Sequence, residues 1–165
     1  DHQKIKGVTS GYDKLCESPH VRFLGNVRVA EGDVSVEELL AHYDQVQRAA
    51  FGEPRISIIA ALAEALKNNS TQHTAFIAYD HDLPVSIGRL YTHPHSHFAG
   101  LYGGGTIPSH RGRGYYRAVI AARASAALSQ NARYLQVDAL PTSRPILERL
   151  GFVHLSDTWP CEWNP

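Results

Sequence analysis

Residues 103–117 read GGGTIPSHRGRGYYR, and this stretch decides the fold. It joins the glycine-rich end of an extended segment to a basic loop and then to the start of an Ala-rich helix. Backbone N–H groups at a helix N-terminus lack intrahelical partners, and glycines let an anion approach them without Cβ obstruction. The pattern therefore predicts a site for a pyrophosphate or a phosphorylated cofactor. Four arginines add positive charge around the loop and helix: Arg111, Arg113, Arg117 and Arg123.

The basic glycine loop has competing interpretations. A bare RGRG is equally typical of a tight turn with solvated arginines. A P-loop needs GxxxxGK[ST], but no Lys follows Lys67 in this sequence. A dinucleotide-binding loop needs a third glycine, whereas the spacing here is Gly112-x-Gly114-x-x-Arg117. The sequence thus excludes these two phosphate motifs and leaves the turn and another kind of anion site.

The composition describes one neutral domain. The chain has 165 residues, with Lys+Arg 16 against Asp+Glu 16 and a pI of about 7.3. A chain of this length folds around a single core. The balanced charge argues against nucleic acid or an anionic membrane as a partner, and the apolar stretches are far shorter than the roughly 20 residues that span a bilayer. Cys16 and Cys161 follow no metal or redox spacing, so a cytoplasmic protein is expected, with one disulfide left open.

Periodicity predicts the element order β, α, α, β, β, β, α, β, α, β, β, which is an α/β or α+β layered domain with a mixed sheet. Residues 1–20 show no periodicity and are expected to form an N-terminal arm or an extra edge segment, with the domain spanning 21–165. Ser35 and Glu38 form a capping box before the first helix, which Gly52 ends. The first strand is expected at Val21–Ala30. Later strands are expected at His73–Tyr79, Leu83–Tyr91, Phe98–Ile107 and Tyr134–Asp138, followed by two short C-terminal strands. The later helices are an Ala-rich helix to about Gln130 and a short helix at Ser143–Leu150.

Two short motifs lie in the second half of the chain. Arg111-Gly112-Arg113-Gly114-Tyr115-Tyr116 follows a segment that ends in Ile107-Pro108, and a late short helix ends in Gly151-Phe152. In these motifs and in element order, residues from about Val21 to Glu162 resemble the GNAT superfamily of N-acetyltransferases, whose acyl-CoA loop reads R/Q-x-x-G-x-G/A. The resemblance implies a single-domain GNAT fold, with a mixed central sheet of about six to seven strands flanked by helices and with strands 4 and 5 splayed.

The resemblance also implies an activity. A GNAT enzyme transfers an acetyl group from acetyl-CoA, its co-substrate, to a primary amine of a small-molecule acceptor by direct attack in a ternary complex. The loop amides would hold the pyrophosphate, and a backbone donor near Ile107 would polarise the thioester carbonyl. A homodimer is one option for the assembly. The cofactor-binding residues implied in this way are Gly105, Thr106, Ile107, Arg111, Gly112, Arg113, Gly114, Tyr115 and Tyr116.

The sequence departs from the family pattern at two positions. Tyr116 stands where the family usually has Gly or Ala, which still leaves its N–H for a phosphate. Leu147 stands where many relatives carry the Tyr that protonates the CoA thiolate, so another group must take that role. The candidates near the expected thioester are Asp138, Ser143 and Tyr102. Each also has a structural interpretation, as a strand-end turn former, a helix N-cap and a packing residue, respectively.

A run of alternating histidines precedes the basic loop. His93, His95 and His97 could share one face of a strand and bind a metal ion. Pro94 and Ser96 favour a turn instead, and no carboxylate or Cys is interleaved. We therefore expect a solvated hairpin tip or a wall of the acceptor site, and no metal site.

A function without catalysis competes with acetyl transfer. Leu147 in place of Tyr also suits a GNAT-like module that binds an acyl-CoA and acts as a sensor or partner domain. Nucleic-acid binding through the RGRG loop is disfavoured, because one short basic loop in a neutral chain lacks an extended positive patch. On the first helix, Glu37, Glu38 and Asp44 are expected to form a solvated face, part of which would attract a cationic amine.

Overall fold

The computed structural model describes residues 21–24, 35–52, 56–68, 70, 72–159, 161 and 163. Strands and helices follow one another in these ranges in the order β-α-α-β-β-β-α-β-α. The strands are β1 (Val21–Leu24), β2 (His73–Asp80), β3 (Leu83–Thr92), β4 (Phe98–Thr106) and β5 (Tyr134–Gln136). The helices are α1 (Val36–Phe51), α2 (Ile56–Lys67), α3 (Tyr115–Ser129) and α4 (Arg144–Arg149), with a 3-10 turn at Pro108–His110.

The strands form one mixed sheet in the order β1-β2-β3-β4-β5. Strands β1 to β4 pair antiparallel with their neighbours, and β5 is parallel to β4. The pairing of β4 with β5 covers only Phe98–Gly100 against Tyr134–Gln136. Because β4 continues to Thr106, the two strands part after Gly100. This separation agrees with the expected splay and opens a gap beside the end of β4 that leads into the basic loop.

Helix α1 begins and ends where its sequence predicts. The Ser35 Oγ accepts a hydrogen bond from the Glu38 N–H at 3.2 Å, which satisfies one of the unpaired donors of the first turn. Gly52 has a φ of +87°, and its N–H donates to the Arg48 carbonyl at 2.8 Å. Glycine adopts this left-handed conformation without a Cβ clash, so it ends the helix.

Helices cover both faces of the sheet. Because side chains alternate along a strand, neighbouring residues of β2 and β3 point into two different cores. On one face, α1 and α2 enclose a core that includes Tyr43, Val46, Leu62, Ile77 and Ile87. On the other face, α3 and α4 enclose a core that includes Phe76, Leu90, Leu101, Val119 and Leu147.

The strand count differs from the prediction. Six to seven strands were expected, and the described residues form five. The two short strands predicted near the C-terminus are not formed in the described stretch 152–159, where Val153, Leu155 and Trp159 are exposed. A strand needs a neighbour to pair with, and β5, which ends at Gln136, offers only a short edge.

The other predicted elements are confirmed within the described ranges, with small shifts of their ends. The first strand is confirmed for Val21–Leu24, whereas the rest of the expected strand, residues 25–30, and the N-terminal arm 1–20 lie outside the described residues. No helix in the described part of the chain is long and apolar enough to cross a membrane.

Truncation of Leu90 tests the two-sided burial of β3. Leu90 is 1% exposed in the core under α3, so Leu90→Ala should lower the free energy of unfolding by about 2–5 kcal/mol. Leu83, on the same strand, is 42% exposed, so Leu83→Ala should change it by no more than about 0.5 kcal/mol. Urea unfolding followed by circular dichroism measures both values. Equal losses for the two variants would contradict this packing.

Candidate active site

The basic loop joins β4 to α3 through two glycines with positive φ. Gly112 has a φ of +75° and Gly114 a φ of +93°, and a Cβ built at either would meet nothing within 4 Å. The turn therefore needs these glycines for their backbone conformation, and the space beside them is open. The Ala118 N–H donates to the Gly114 carbonyl at 3.0 Å, as the first α-helical bond of α3. The three N–H groups before Ala118 have no intrahelical acceptor; they belong to Tyr115, Tyr116 and Arg117. An anion site needs such unpaired donors.

The arginines of the loop have different roles. Arg111 fixes the loop to the strand, because its Nε donates to the Thr106 carbonyl at 3.2 Å. Arg113 and Arg117 are exposed, so their guanidinium groups can approach an anion at the loop. Arg123, which the sequence grouped with them, is only 2% exposed and packs against the sheet. The positive cluster at the loop thus consists of three arginines and not four.

A carboxylate from the neighbouring hairpin holds this loop. The Oδ2 of Asp80 lies 3.3 Å from His110 Nε2 and 3.9 Å from an Arg113 nitrogen, and its Oδ1 lies 3.0 Å from His81 Nδ1. The Tyr115 hydroxyl also donates to Asp80, so burial and this contact together raise the pKa of Tyr115. Burial raises the pKa of Asp80, but the hydrogen bonds and the nearby histidine charges lower it by more, so the net shift is downward. Asp80 therefore stays ionised and ties the β2–β3 turn to the loop.

A bulge in β4 lies where the sequence has its run of three glycines. The β3 partners of Tyr102 and Gly105 are only two residues apart, so β4 carries one extra residue at Gly103-Gly104. Gly103 has a φ of +56°, which favours glycine. The run of three glycines therefore marks a bulge in β4.

Arg123 of α3 fills the bulge. Its guanidinium donates to the carbonyls of Arg89 at 3.3 Å and Tyr102 at 3.5 Å, and its Nε donates to the Val119 carbonyl at 3.2 Å. A Cβ at Gly88 would lie 2.7 Å from Arg123 Cζ. Because Arg123 is fully enclosed and cannot swing away, β3 needs glycine at this point.

Tyr116 covers the same bulge from the first turn of α3. A Cβ at Gly104 would meet Tyr116 Cε2 at 2.9 Å and an Arg123 nitrogen at 3.2 Å. Burial lowers the pKa of Arg123 to about 10, against the opposing effects of Tyr116 and Tyr43. At neutral pH, Arg123 is therefore a buried cation held mainly by neutral partners.

The direction of the strand indicates which backbone donor near Ile107 faces the gap. The Ile107 N–H donates to the Val85 carbonyl at 2.9 Å, so it is used within the sheet. Because the backbone groups of a strand alternate in direction, the N–H of Thr106 points to the opposite edge, which borders the gap. The Thr106 carbonyl confirms this direction, since it accepts from Arg111 of the loop.

The sequence of residues 39–162 matches the Acetyltransferase (GNAT) domain. The chain belongs to the GNAT acetyltransferase family. No curated protein sequence matches it significantly.

Solved acetyltransferases share this GNAT fold at low sequence identity. Aminoglycoside N-acetyltransferase AAC(6')-Iy in complex with CoA has a TM-score of 0.64 and 17% identity, covering 88% of this chain and 99% of that chain. An acetyltransferase of Trypanosoma brucei has a TM-score of 0.65 and 17% identity, with coverage of 87% and 99%. Glucosamine-6-phosphate N-acetyltransferase from Arabidopsis thaliana has a TM-score of 0.65 and 8% identity, with coverage of 87% and 99%. Identities this low establish the fold alone.

Two of the candidate proton-transfer residues of this GNAT domain lie beside the gap. Tyr102 is 41% exposed, and its ring lies over Gly100, the last residue of β4 that pairs with β5. Asp138 follows β5 two residues beyond Gln136, so it lies on the other side of the opening. Its Oδ1 accepts a hydrogen bond from the Thr158 hydroxyl at 3.3 Å. The structure thus places Tyr102 and Asp138 on opposite sides of the gap.

The third candidate and the missing tyrosine position lie around α4. Ser143 occupies the N-cap position of α4, as expected, but its hydroxyl donates to the Leu140 carbonyl at 3.1 Å and accepts no capping hydrogen bond. Leu147 is 2% exposed and packs in the core with α3. The GNAT position that often carries a tyrosine is therefore structural in this chain.

The histidine run forms a hairpin turn. His93, His95 and His97 line an open cavity of about 440 Å³ together with Gln72 and Gln130. Within the described residues, no group of three His, Cys, Asp or Glu side chains is placed to hold a metal ion. The cavity lies at the start of β4, at the opposite end of this strand from the basic loop, so it does not border the site described above.

Sequence reasoning missed the roles of Asp80, Arg89 and Arg123. Asp80 was treated as part of a turn, and Arg123 as part of the surface cluster. A carboxylate at the hairpin tip beside a basic loop is a usable signal for Asp80. For Arg123, the signal is an arginine in the middle of an alanine-rich helix that follows a strand with three glycines.

Replacement of Asp80 by Asn removes the carboxylate that holds His110 and Arg113. The folded pKa of Asp80 lies below its unfolded value, so its contribution to stability is present above the unfolded pKa and is lost as the pH falls through the folded pKa. Asp80→Asn should therefore lower the thermal midpoint at pH 7, and the difference from the wild type should shrink below about pH 4. Scanning calorimetry measures both midpoints. Asp82→Asn, in the same turn, is the control, and a pH-independent loss in Asp80→Asn would contradict the ionic role.

Proposed function

We propose that the chain transfers an acetyl group from acetyl-CoA to the primary amine of a small-molecule acceptor, by direct attack in a ternary complex. The observation that carries this proposal is the open basic loop at the mouth of the gap where β4 and β5 part. The loop supplies unpaired backbone donors for a diphosphate, and the gap exposes a strand edge to an extended arm. The CoA complex of the structurally similar aminoglycoside N-acetyltransferase supports this assignment.

The loop binds the pyrophosphate of acetyl-CoA. The amides from Arg113 to Tyr116 point their partial positive charges at it, and the exposed guanidinium of Arg113 adds a full charge. Gly112 and Gly114 leave room for the phosphate oxygens, because a side chain at either position would extend into the open space. Arg111 keeps the loop in place through the Thr106 carbonyl.

The pantetheine arm lies along the gap edge of β4, between Gly105 and Ile107. The Thr106 N–H faces this edge and donates to the thioester carbonyl, which stabilises the negative charge that forms on the oxygen. The unprotonated amine attacks the carbonyl carbon, a C–N bond forms, and the C–S bond breaks. The nitrogen loses a proton to water, and the CoA thiolate gains one from a side chain or from water.

Tyr102 is the strongest of the three candidates for that last proton transfer. It adjoins the bulge, and its side chain is 41% exposed. The other two candidates already make side-chain hydrogen bonds, Asp138 with Thr158 and Ser143 with Leu140. Asp138 is assigned the role of a base that receives the amine proton through water, and Ser143 a supporting role beside it.

One observation favours a second function, in which the chain binds an acyl-CoA without transferring the acyl group. Leu147 is buried in the core, so the GNAT position that often carries the acid offers no hydroxyl. CoA binding without release of CoA thiol on any amine would select this function.

Substitution of Gly114 tests the placement of the pyrophosphate. Gly114→Ala puts a methyl group into the open space beside the loop amides, so the affinity for CoA should fall by about tenfold or more. Arg113→Ala should weaken binding by less, because its guanidinium is exposed. Titration calorimetry with CoA measures both affinities.

The matched control for this test is Gly52→Ala. Gly52 also has a positive φ, +87°, and open space around its Cβ position, but it ends α1. Both alanine variants carry a similar backbone strain of about 1 kcal/mol, so thermal melting should report similar losses. An affinity for CoA that falls equally in the two variants would show that the effect is general destabilisation.

Substitution of Tyr102 tests the proton transfer. Tyr102→Phe should lower kcat by about 10²-fold and leave the KM for acetyl-CoA unchanged, because only the hydroxyl is removed. The alkaline limb of the pH profile should also change. The control is Tyr134→Phe, whose ring stacks on Phe98 at a centroid distance of 4.9 Å. Unchanged kcat in Tyr102→Phe, together with a loss in Asp138→Asn or Ser143→Ala, would move the role to that residue.

A further inference from the structure

Polar atoms without a partner lie between α1 and the β4 bulge, on the face of the sheet opposite α3. Within the described part of the chain, the Tyr43 hydroxyl, the Gln47 Nε2 and the Arg89 Nε are buried and make no hydrogen bond of good geometry. Tyr43 is 0% exposed and Gln47 is 3% exposed. Because a buried donor without an acceptor costs free energy, three of them in one region indicate that the region is built to meet a ligand.

These polar groups surround the bulge. A Cβ at Gly103 would lie 3.3 Å from the Arg89 Nε and 3.6 Å from the Tyr43 hydroxyl. Gln47 is one helical turn after Tyr43 on the same side of α1. A further turn along α1, Ala50 lies against Gly105, at 3.0 Å from its Cβ position. Helix α1 therefore carries Gln47 alongside the segment between Gly103 and Gly105, and Gly103 itself is exposed, so a ligand can reach the cluster there.

All three groups act as hydrogen-bond donors. The nitrogens of Gln47 and Arg89 carry only N–H groups. Burial raises the pKa of Tyr43 to about 12, although the charges of Arg89 and Arg123 and a hydrogen bond from the Arg89 side chain oppose this, so its hydroxyl keeps its proton at neutral pH. The Tyr43 O–H and the buried N–H groups of Gln47 and Arg89 are therefore available to a ligand that offers acceptor oxygens, such as a carboxylate or a phosphate.

The local charge is positive as well. Arg89 and Arg123 lie close enough for each to influence the other's charge, and within the described residues neither has a carboxylate within 4.0 Å. The acidic residues of α1 do not serve them: Asp44 pairs with Arg48 at 2.6 Å, and Glu38 lies 4.0 Å from His42. Cations that are removed from water are normally paired with an anion. We therefore expect a ligand to supply the anion in this region.

We propose that Tyr43, Gln47 and Arg89 form an acceptor subsite that binds the anionic group of the amine substrate. This inference rests on the proposed function, because it assigns the substrate class of that same site: an amine that carries a carboxylate or a phosphate. The subsite lies beside the bulge at Gly103-Gly104, two residues before Thr106, whose N–H donates to the thioester carbonyl, so an anion held by Arg89 brings a nearby amine to the gap. Helix α1 then acts as the wall that selects the acceptor, and a polycationic amine is disfavoured because the subsite repels it.

Paired acceptors that differ only in charge test the proposal. Glycine and β-alanine are compared with their amides, and glucosamine 6-phosphate with glucosamine, with spermidine as the cationic member. Release of CoA thiol from acetyl-CoA is measured at saturating acetyl-CoA. For at least one pair, kcat/KM should be about tenfold to a hundredfold higher for the anionic member, the range expected for hydrogen bonds to a charged group. The amino acid pairs and the sugar pair distinguish a carboxylate from a phosphate.

Variants of Arg89 separate the subsite from the rest of the site. Arg89→Gln should raise the KM for the anionic acceptor by about tenfold or more and remove the preference over its neutral partner. The affinity for CoA should stay within about twofold of the wild type, because Arg89 makes no contact with the loop. Arg89→Lys should restore part of the preference, since it keeps the charge but loses the planar guanidinium. Arg48→Gln, which removes an exposed arginine from α1, is the control and should leave every acceptor unchanged.

A binding experiment makes the outcome independent of turnover. CoA-saturated protein is titrated calorimetrically with N-acetylglycine and N-acetylglycinamide, and with N-acetylglucosamine with and without its 6-phosphate. Tighter binding of an anionic member, lost in Arg89→Gln, supports the subsite. Equal binding of all members, or a preference that survives Arg89→Gln, overturns it. Failure to bind CoA or to release its thiol with any amine instead overturns the proposed function.

Discussion

One buried cation organises this domain. The guanidinium of Arg123 reaches from α3 into the bulge of β4 and donates to the carbonyls of Arg89 and Tyr102. A bulge removes strand pairing and leaves backbone acceptors inside the protein, which is costly unless another donor meets them. Arg123 supplies that donor, and glycines at positions 88 and 104 make room for it. Because α3 is thereby attached to β4, the basic loop between them is held at both of its ends.

The bulge gives the two faces of the sheet different chemistry. On the α3 face, Tyr116 and Arg123 close over Gly104, and the open loop begins a short distance away. On the α1 face, Tyr43 and Arg89 approach Gly103, and neither the Tyr43 hydroxyl nor the Arg89 Nε makes a hydrogen bond of good geometry. Such polar groups weaken a core that apolar side chains would fill at lower cost. Their burial next to the place where β4 and β5 part is therefore better explained by ligand binding than by folding.

The sequence predicted the parts of the fold that depend on neighbours along the chain. The Ser35 cap, the Gly52 helix end, the hairpins and the glycine loop are local, and each was found where the residue types require it. The roles of Asp80 and Arg123 depend on strand pairing and helix docking, so the sequence patterns around these residues are only indirect signals of what they contact. The donor on the gap edge could be predicted only as a group near Ile107, because a shift of one position along a strand reverses the direction of every backbone group. The number of strands was overestimated for a similar reason, since a strand forms only where a partner edge is available.

The positions of the arginines explain how a chain with zero net charge can still select a charged ligand. A neutral protein exerts little long-range attraction on a charged ligand, so its selectivity must come from groups that act at short range. The exposed arginines of the loop act in solvent, where salt and water weaken each contact, and backbone amides supply the geometry. Arg123 is buried and Arg89 is half-buried, so a contact there distinguishes more strongly between charged and neutral partners than one in solvent. Proteins that share the fold include one named for aminoglycosides and one named for glucosamine 6-phosphate. In the function proposed for this chain, the side chains of α1 and β3, and not the loop beside β4, distinguish an anionic amine from a cationic one.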